Sequence, residues 1–289
     1  MRIGFLGAGK VATAYGRYLY LHDVKVSGYF DRHPEKIALA SQAVGGLEFT
    51  DKSALAAASD IILITTQDDK IEDACSTLCR QADIGPRHLV GHMSGVHSSQ
   101  ILYAAAKEGA AIFSLHPLQA FAHERAARND LPRTFFSLES EDPRVAGVEE
   151  ILTLTGNPFF RISPEKKTLY HLAACMLSNY LVTVMDSGLT ALEQSGIDPR
   201  LGFEAMQPLI MGTLANIANS GTAKALTGPI ARGDAGTIRQ HLDALGAKEM
   251  ETLTMFYKFM GLRTLELAEK QILKAPDRAE AVRQLLENQ

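Results

Sequence analysis

The chain has 289 residues, 46% of them hydrophobic, and a formal net charge of −4. That length is comfortable for two domains, and the near-balanced charge leaves no electrostatic footprint for DNA or RNA. The three cysteines form no metal-type CxxC pair, which excludes a zinc ribbon and fits reduced thiols in a cytoplasmic protein. No apolar run approaches the roughly 20 residues that span a bilayer, and the chain enters its first strand too early for a signal peptide.

The opening stretch organises the rest. Arg2 to Leu6 is a run of β-formers that breaks into Gly7-Ala8-Gly9, and Lys10 to Leu19 reads as a helix. Strand, glycine turn and helix in that order are the context of a dinucleotide fingerprint. Gly7 permits the tight turn, Gly9 lets the backbone approach a pyrophosphate, and Ala12 in the third glycine's place allows close helix packing. The amides from Gly7 through Ala8 to Lys10 and Val11 then face the phosphates, at the positive end of the helix dipole.

Val24 to Phe30 reads as the second strand, followed by Asp31-Arg32-His33-Pro34 and a helix from Glu35 to about Val44. Asp31 is placed to accept ribose hydroxyls, whereas Arg32 is placed to hold a 2′-phosphate, so the spacing leaves NAD and NADP both open. Ile61 to Thr66 is a continuous apolar run suited to a central parallel strand, and Thr65-Thr66-Gln67 should pass beneath the nicotinamide ribose. A strand from Arg87 to His92 stops at Ser94-Gly95, and another from Ala111 to Leu115 ends at His116-Pro117. Ligands of open α/β sheets sit beyond such carboxyl ends, so Ser94, Gly95 and His116 are candidate substrate contacts; a helix-start turn explains the serines as well. Strands over Thr134–Leu138 and Asn157–Ile162, with a helix over Asp142–Leu154 between them, complete the alternation.

Beyond Ser163-Pro164 the pattern is wholly helical. One helix should run from there to Gln194, about 50 Å long, and being apolar all round it should be the buried spine of the second domain. Lys167, His171, Ala174 and Ser178 fall on one stripe of it, a face suited to a cleft, with Asn179 one position off. Reducing a carbonyl makes an alkoxide that needs a proton, and a partly desolvated Lys167 or His171 can supply it; an exposed first-turn lysine is the plainer reading. Further helices are expected at 199–218, 237–245, 248–270 and 276–286. Arg232, in Thr227-Gly228-Pro229-Ile230-Ala231-Arg232-Gly233-Asp234, is placed to fork onto a substrate carboxylate, or to pair with Asp234 or a neighbouring subunit.

Taken together, Gly7-x-Gly9, Thr65-x-x-Asp68-Asp69-x-Ile71, Ser94-Gly95, Leu115-His116-Pro117, Tyr170-His171 with Ser178-Asn179, and Thr227 to Asp234 resemble bacterial proteins that join a Rossmann-like domain to the domain of unknown function numbered 2520. That family is similar to ketopantoate reductase, pyrroline-5-carboxylate reductase and the β-hydroxyacid dehydrogenases. The resemblance implies a mostly parallel Rossmann-like α/β domain over residues 1–162 and an all-helical substrate and dimerisation domain over 163–289. In β-hydroxyacid dehydrogenases a Lys-x-x-x-Asn pair does the acid–base work; here Lys167 is followed four residues later by His171, and Asn179 comes later still.

The expectation is therefore a cytoplasmic, homodimeric NAD(P)-dependent reductase of a small oxo acid, ketopantoate favoured, with no nucleic-acid or membrane partner. Lys167, His171 and Asn179 are its candidate catalytic residues, and Ser94, Gly95, His116 and Arg232 its candidate substrate contacts. A non-catalytic dinucleotide sensor and a cyclic-imine reductase are the alternatives.

Overall fold

A computed structural model describes residues 1–121, 131–246 and 250–287. Eight strands form one sheet in the order β3-β2-β1-β4-β5-β6-β7-β8. They are β1 (Arg2–Leu6), β2 (Lys25–Phe30), β3 (Leu47–Glu48), β4 (Ile61–Ile64), β5 (Leu89–His92), β6 (Ala111–Pro117), β7 (Phe136–Glu139) and β8 (Phe159–Arg161). Neighbours pair in parallel except β6 with β7, which run antiparallel. The chain thus has the α/β class expected of it, with helices alone after β8 among the described residues.

The period-two alternation of the central strands explains the layering. Along β4, Ile61 and Leu63 enter one apolar core while Ile62 and Ile64 enter the core on the other face. A strand covered on both sides has to be apolar throughout, and this one is. The strand order reverses at β1, whose neighbours are β2 and β4, and this is the crevice where open α/β sheets take ligands.

Gly7 ends β1 at that crevice with φ +118°, and a methyl group built on it would lie 2.8 Å from Thr65 Oγ1 and 2.9 Å from the Thr65 carbonyl carbon. Only glycine fits there, because backbone conformation and steric room both forbid a side chain.

The chain packs as two compact units, Met1–Leu181 and Val182–Gln289. The helix expected to run unbroken to Gln194 is instead a 3-10 turn at Pro164–Lys166, a helix Lys167–Leu177 and a second helix Asn179–Gln194, parted at Ser178. By length and composition Pro164–Gln194 is apolar enough to cross a bilayer, with a mean hydropathy of 1.2, which corrects the expectation that no stretch comes near this. It is no buried spine either: Leu169, Leu177 and Val182 are 65%, 79% and 69% exposed.

The core of the second unit is built elsewhere, from Ile230, Ile238, Leu265, Leu273, Val282 and Leu286. These sit on helices Pro229–Arg232, Ala235–Leu245, Glu251–Gln271 and Pro276–Glu287 and the turn before the last of them. The start expected for the third of these, Lys248, lies outside the described residues. An all-round apolar helix signals a large demand for partners, and one chain does not meet that demand here.

The two glycines of the turn should respond differently to alanine. Gly7→Ala should lower unfolding stability by about 2 kcal/mol or more. Gly9, with nothing within 4 Å of a methyl group built on it, should tolerate alanine within about 0.5 kcal/mol. Urea denaturation measures both, and equal effects would contradict the geometry.

Candidate active site

The glycine turn forms a cradle. Gly7 N–H donates to Phe30 O at 2.7 Å, and Ala8 N–H donates to Asp31 Oδ2 at 2.8 Å. His33 N–H takes the other Asp31 oxygen at 3.0 Å, so Asp31 braces the turn against the end of β2. Gly9 stands as N-cap of the helix Lys10–Leu21 with no side chain capping it, and open space lies in front of it. Thr65 Oγ1 donates to Gly7 O at 3.0 Å, whereas the buried Thr66 Oγ1 has no hydrogen-bond partner. An uncapped helix start, room above Gly9 and an orphaned hydroxyl just after β4 fit a phosphate-bearing ligand.

A polar layer lies at the carboxyl ends of β5 and β6. In the register of β6 and β7, Ser114 faces Glu139 and His116 faces Ser137. Directly opposed residues share a face, while Phe113, Leu115, Phe136 and Leu138 turn into the apolar core behind. The first turn of the helix Lys167–Leu177 descends onto this patch. Lys167 is 0% exposed, and its Nζ donates to Ser114 Oγ at 2.6 Å and to Ser94 O at 3.3 Å. Burial pulls its pKa down from 10.5 to about 8, with Glu139 and then Asp68 opposing the fall. An ammonium so placed is ready to give up a proton near neutral pH.

Two neutral imidazoles flank the lysine. His92 is fully buried; its Nδ1 accepts from Ser94 N–H at 3.2 Å, so Nε2 carries the proton and donates to Ser98 O at 3.1 Å. Burial drops its pKa to about 3. His116 Nδ1 bonds the Tyr170 hydroxyl at 2.8 Å, and burial followed by the charge on Lys167 lowers its pKa to about 4. His171 stands edge-on to His116 with ring centroids 6.1 Å apart. Its Nε2 meets Cys175 Sγ at 3.5 Å, but its buried Nδ1 has no partner. A methyl group built on Gly95 would lie 2.6 Å from that Nδ1 and 2.9 Å from His116 Nε2. Both ring nitrogens therefore converge over a bare backbone.

A Rossmann-like domain profile matches residues 1–117, and the profile of a domain of unknown function, DUF2520, matches 134–264. The chain carries both domains, in that order. Protein TM1727 of Thermotoga maritima is similar in structure over 93% of this chain and 99% of its own, at 23% identity and a TM-score of 0.71. BF3122 of Bacteroides fragilis matches over 92% and 98%, at 20% identity and 0.73. A pyrroline carboxylate reductase of Plasmodium falciparum, solved with NADP bound, matches over 99% and 98%, at 11% identity and 0.60. Among the curated proteins none matches the sequence.

The Rossmann-like segment contributes Ser94, Gly95, Ser114 and His116, and the DUF2520 segment contributes Glu139, Lys167, Tyr170 and His171. Not every residue proposed from sequence joins them. The Ser94 hydroxyl accepts from Val96 and His97 N–H groups, at 3.3 and 3.4 Å, while its carbonyl serves Lys167. Asn179 is exposed beyond the break at Ser178. Arg232 belongs to the second unit and lies 4.0 Å from Asp234. Arg32 and Gln67 are exposed near the cradle.

The sequence gives Ser114 and Glu139 no role, and it marks His92 only as the end of a strand. Ser114 was within reach, since it sits two residues before His116 and so shares its face of the strand. Glu139 becomes visible only through the strand register.

His92 and His116 should remain neutral at pH 6, against an ordinary midpoint of 6.5. Imidazole nitrogen NMR across pH 4 to 8 reads this directly, and titration of either ring near 6.5 would contradict the burial described.

Proposed function

We propose that the protein is an NADP(H)-dependent reductase of a small oxo acid, with Lys167 delivering the proton. The observation carrying the proposal is a wholly buried lysine whose pKa of about 8 leaves it a ready acid. It lies in the unit that also holds a phosphate cradle. The loop Gly7-Ala8-Gly9-Lys10-Val11 would hold the pyrophosphate, with Thr65, Thr66 and Gln67 along the nicotinamide ribose. Asp31 already receives a backbone N–H on each oxygen, and exposed Arg32 follows it, which supports 2′-phosphate recognition and so NADP over NAD. The similar pyrroline carboxylate reductase was solved with NADP, and a similar reductive aminase of Aspergillus terreus with NADPH.

The dinucleotide, when bound, supplies the hydride. Gly95, His116 and His171 line the substrate's polar end with a bare backbone and two ring nitrogens. Lys167 spends two of its three N–H donors on Ser114 and Ser94 and keeps the third for the developing alkoxide. A cationic lysine attracts an oxo acid such as ketopantoate and repels an iminium, which supports a carbonyl substrate. Cyclic imines form the second reading, because the similar enzymes include a pyrroline carboxylate reductase and a reductive aminase.

The open apolar side of the second unit, with Leu201, Phe203, Leu209, Met211 and Leu214 exposed on the helix Pro199–Ser220, supports a homodimer. The cytoplasmic setting and the absence of a membrane partner are part of the same proposal.

A scan of oxo acids and cyclic imines with NADPH and NADH, followed by absorbance, tests this reading. Lys167→Met should cut turnover by about 10²- to 10⁴-fold while leaving NADPH affinity intact. Ser114 still donates to Ser94 O in that variant, at 3.3 Å, so the hydroxyl and the carbonyl that Lys167 bonds keep a partner. Deprotonation disarms the acid, so wild-type turnover should fall as pH rises through about 8. Full turnover by Lys167→Met would overturn the role. Sedimentation velocity should give twice the chain mass, and a Leu209→Asp variant half of that; a monomeric wild type would overturn the dimer.

A further inference from the structure

Glu139 is 1% exposed, yet no described lysine or arginine lies within ion-pair distance of it. It receives Ser99 N–H at 2.5 Å and Ser99 Oγ–H at 2.8 Å, one on each oxygen. A carboxylate accepts about four hydrogen bonds, so two donors leave a buried charge under-compensated. Lys167 has the complementary problem, a buried ammonium whose described acceptors are a hydroxyl and a carbonyl. Ser114 joins the two: it is the direct cross-strand partner of Glu139 and the 2.6 Å acceptor of Lys167. Opposed side chains share a face with Cβ atoms about 5 Å apart.

We infer that Glu139 is the buried counter-charge of Lys167 and acts, across Ser114, as a positioning residue for proton delivery. The inference rests on the reading of Lys167 as the acid. Among the described residues, few groups face the ammonium from neighbouring elements. His92 on β5 and His116 on β6 are neutral, with pKa values of about 3 and about 4. Asp68, after β4, is exposed, so water screens it. Glu139 on β7 is the buried anion among them and the first group opposing the downward pull of burial on Lys167. Without it the ammonium would sit in a low-dielectric layer at a helix start, where the helix dipole also disfavours a cation.

The test reads the lysine rather than turnover. Protein labelled with ¹⁵N and ¹³C on lysine gives a Lys167 signal, assigned by its loss in Lys167→Met. In wild type it should titrate near pH 8. In Glu139→Gln the midpoint should drop by about one pH unit, while Asp68→Asn should move it far less. Glutamine can still accept from Ser99 N–H and donate to Ser99 Oγ, so the loop contact survives.

An unchanged midpoint in Glu139→Gln, or an equal shift in Asp68→Asn, overturns the pairing. If Glu139→Gln folds poorly, the double variant with Lys167→Met should regain the lost urea midpoint, because it removes both charges; simple additivity overturns the pairing as well. A lysine that titrates as stated while Lys167→Met keeps full turnover would overturn its role as the acid and leave the charge pair standing.

Discussion

The structure depends on holding one ammonium group out of water. Lys167 enters its helix at the point where the chain leaves the sheet, and a bare charge there would cost several kcal/mol. What makes the position tolerable is local: Ser114 Oγ and Ser94 O accept from it, and Glu139 lies one cross-strand step away. The histidines nearby add no charge, because burial keeps both neutral. The lysine is thus held but poorly solvated, a balance that lowers its pKa toward the range useful to an acid.

The loop after β5 is shaped by the same requirement. His92 fixes its tautomer by accepting from Ser94 and donating to Ser98, and Ser94 folds its hydroxyl back onto the loop amides. The Ser94 carbonyl is thereby aimed at Lys167, and Gly95 is left as bare backbone under two ring nitrogens. On the other side of the sheet's reversal point, Gly7 and Asp31 hold the cradle, the glycine by a backbone turn that a side chain would block and the carboxylate by accepting two backbone N–H groups. Each half of the site rests on the carboxyl end of a parallel strand, so the fold fixes both without a long loop.

Much of this is legible in the sequence. The glycine turn, the apolar run of β4 and the polar residues at the ends of β5 and β6 follow from periodicity and turn chemistry alone. Lys167 and His171 emerged from helical spacing, because residues four apart share a face. Glu139 did not, since its partner is 25 positions away across an antiparallel register that one sequence does not display. The long apolar helix misled in another way: hydrophobicity records a need for partners, not which surface meets it. Here the second unit's core came from its last helices, and the apolar spine stayed open.

The central claim is that the first unit binds a 2′-phosphorylated dinucleotide beside a buried proton donor. Titration calorimetry with NADPH and NADH on the intact chain tests it most directly. The account predicts saturable NADPH binding in the micromolar range, clearly tighter than NADH, and a weakened preference in Arg32→Ala. Folded protein that takes up neither nucleotide would contradict it.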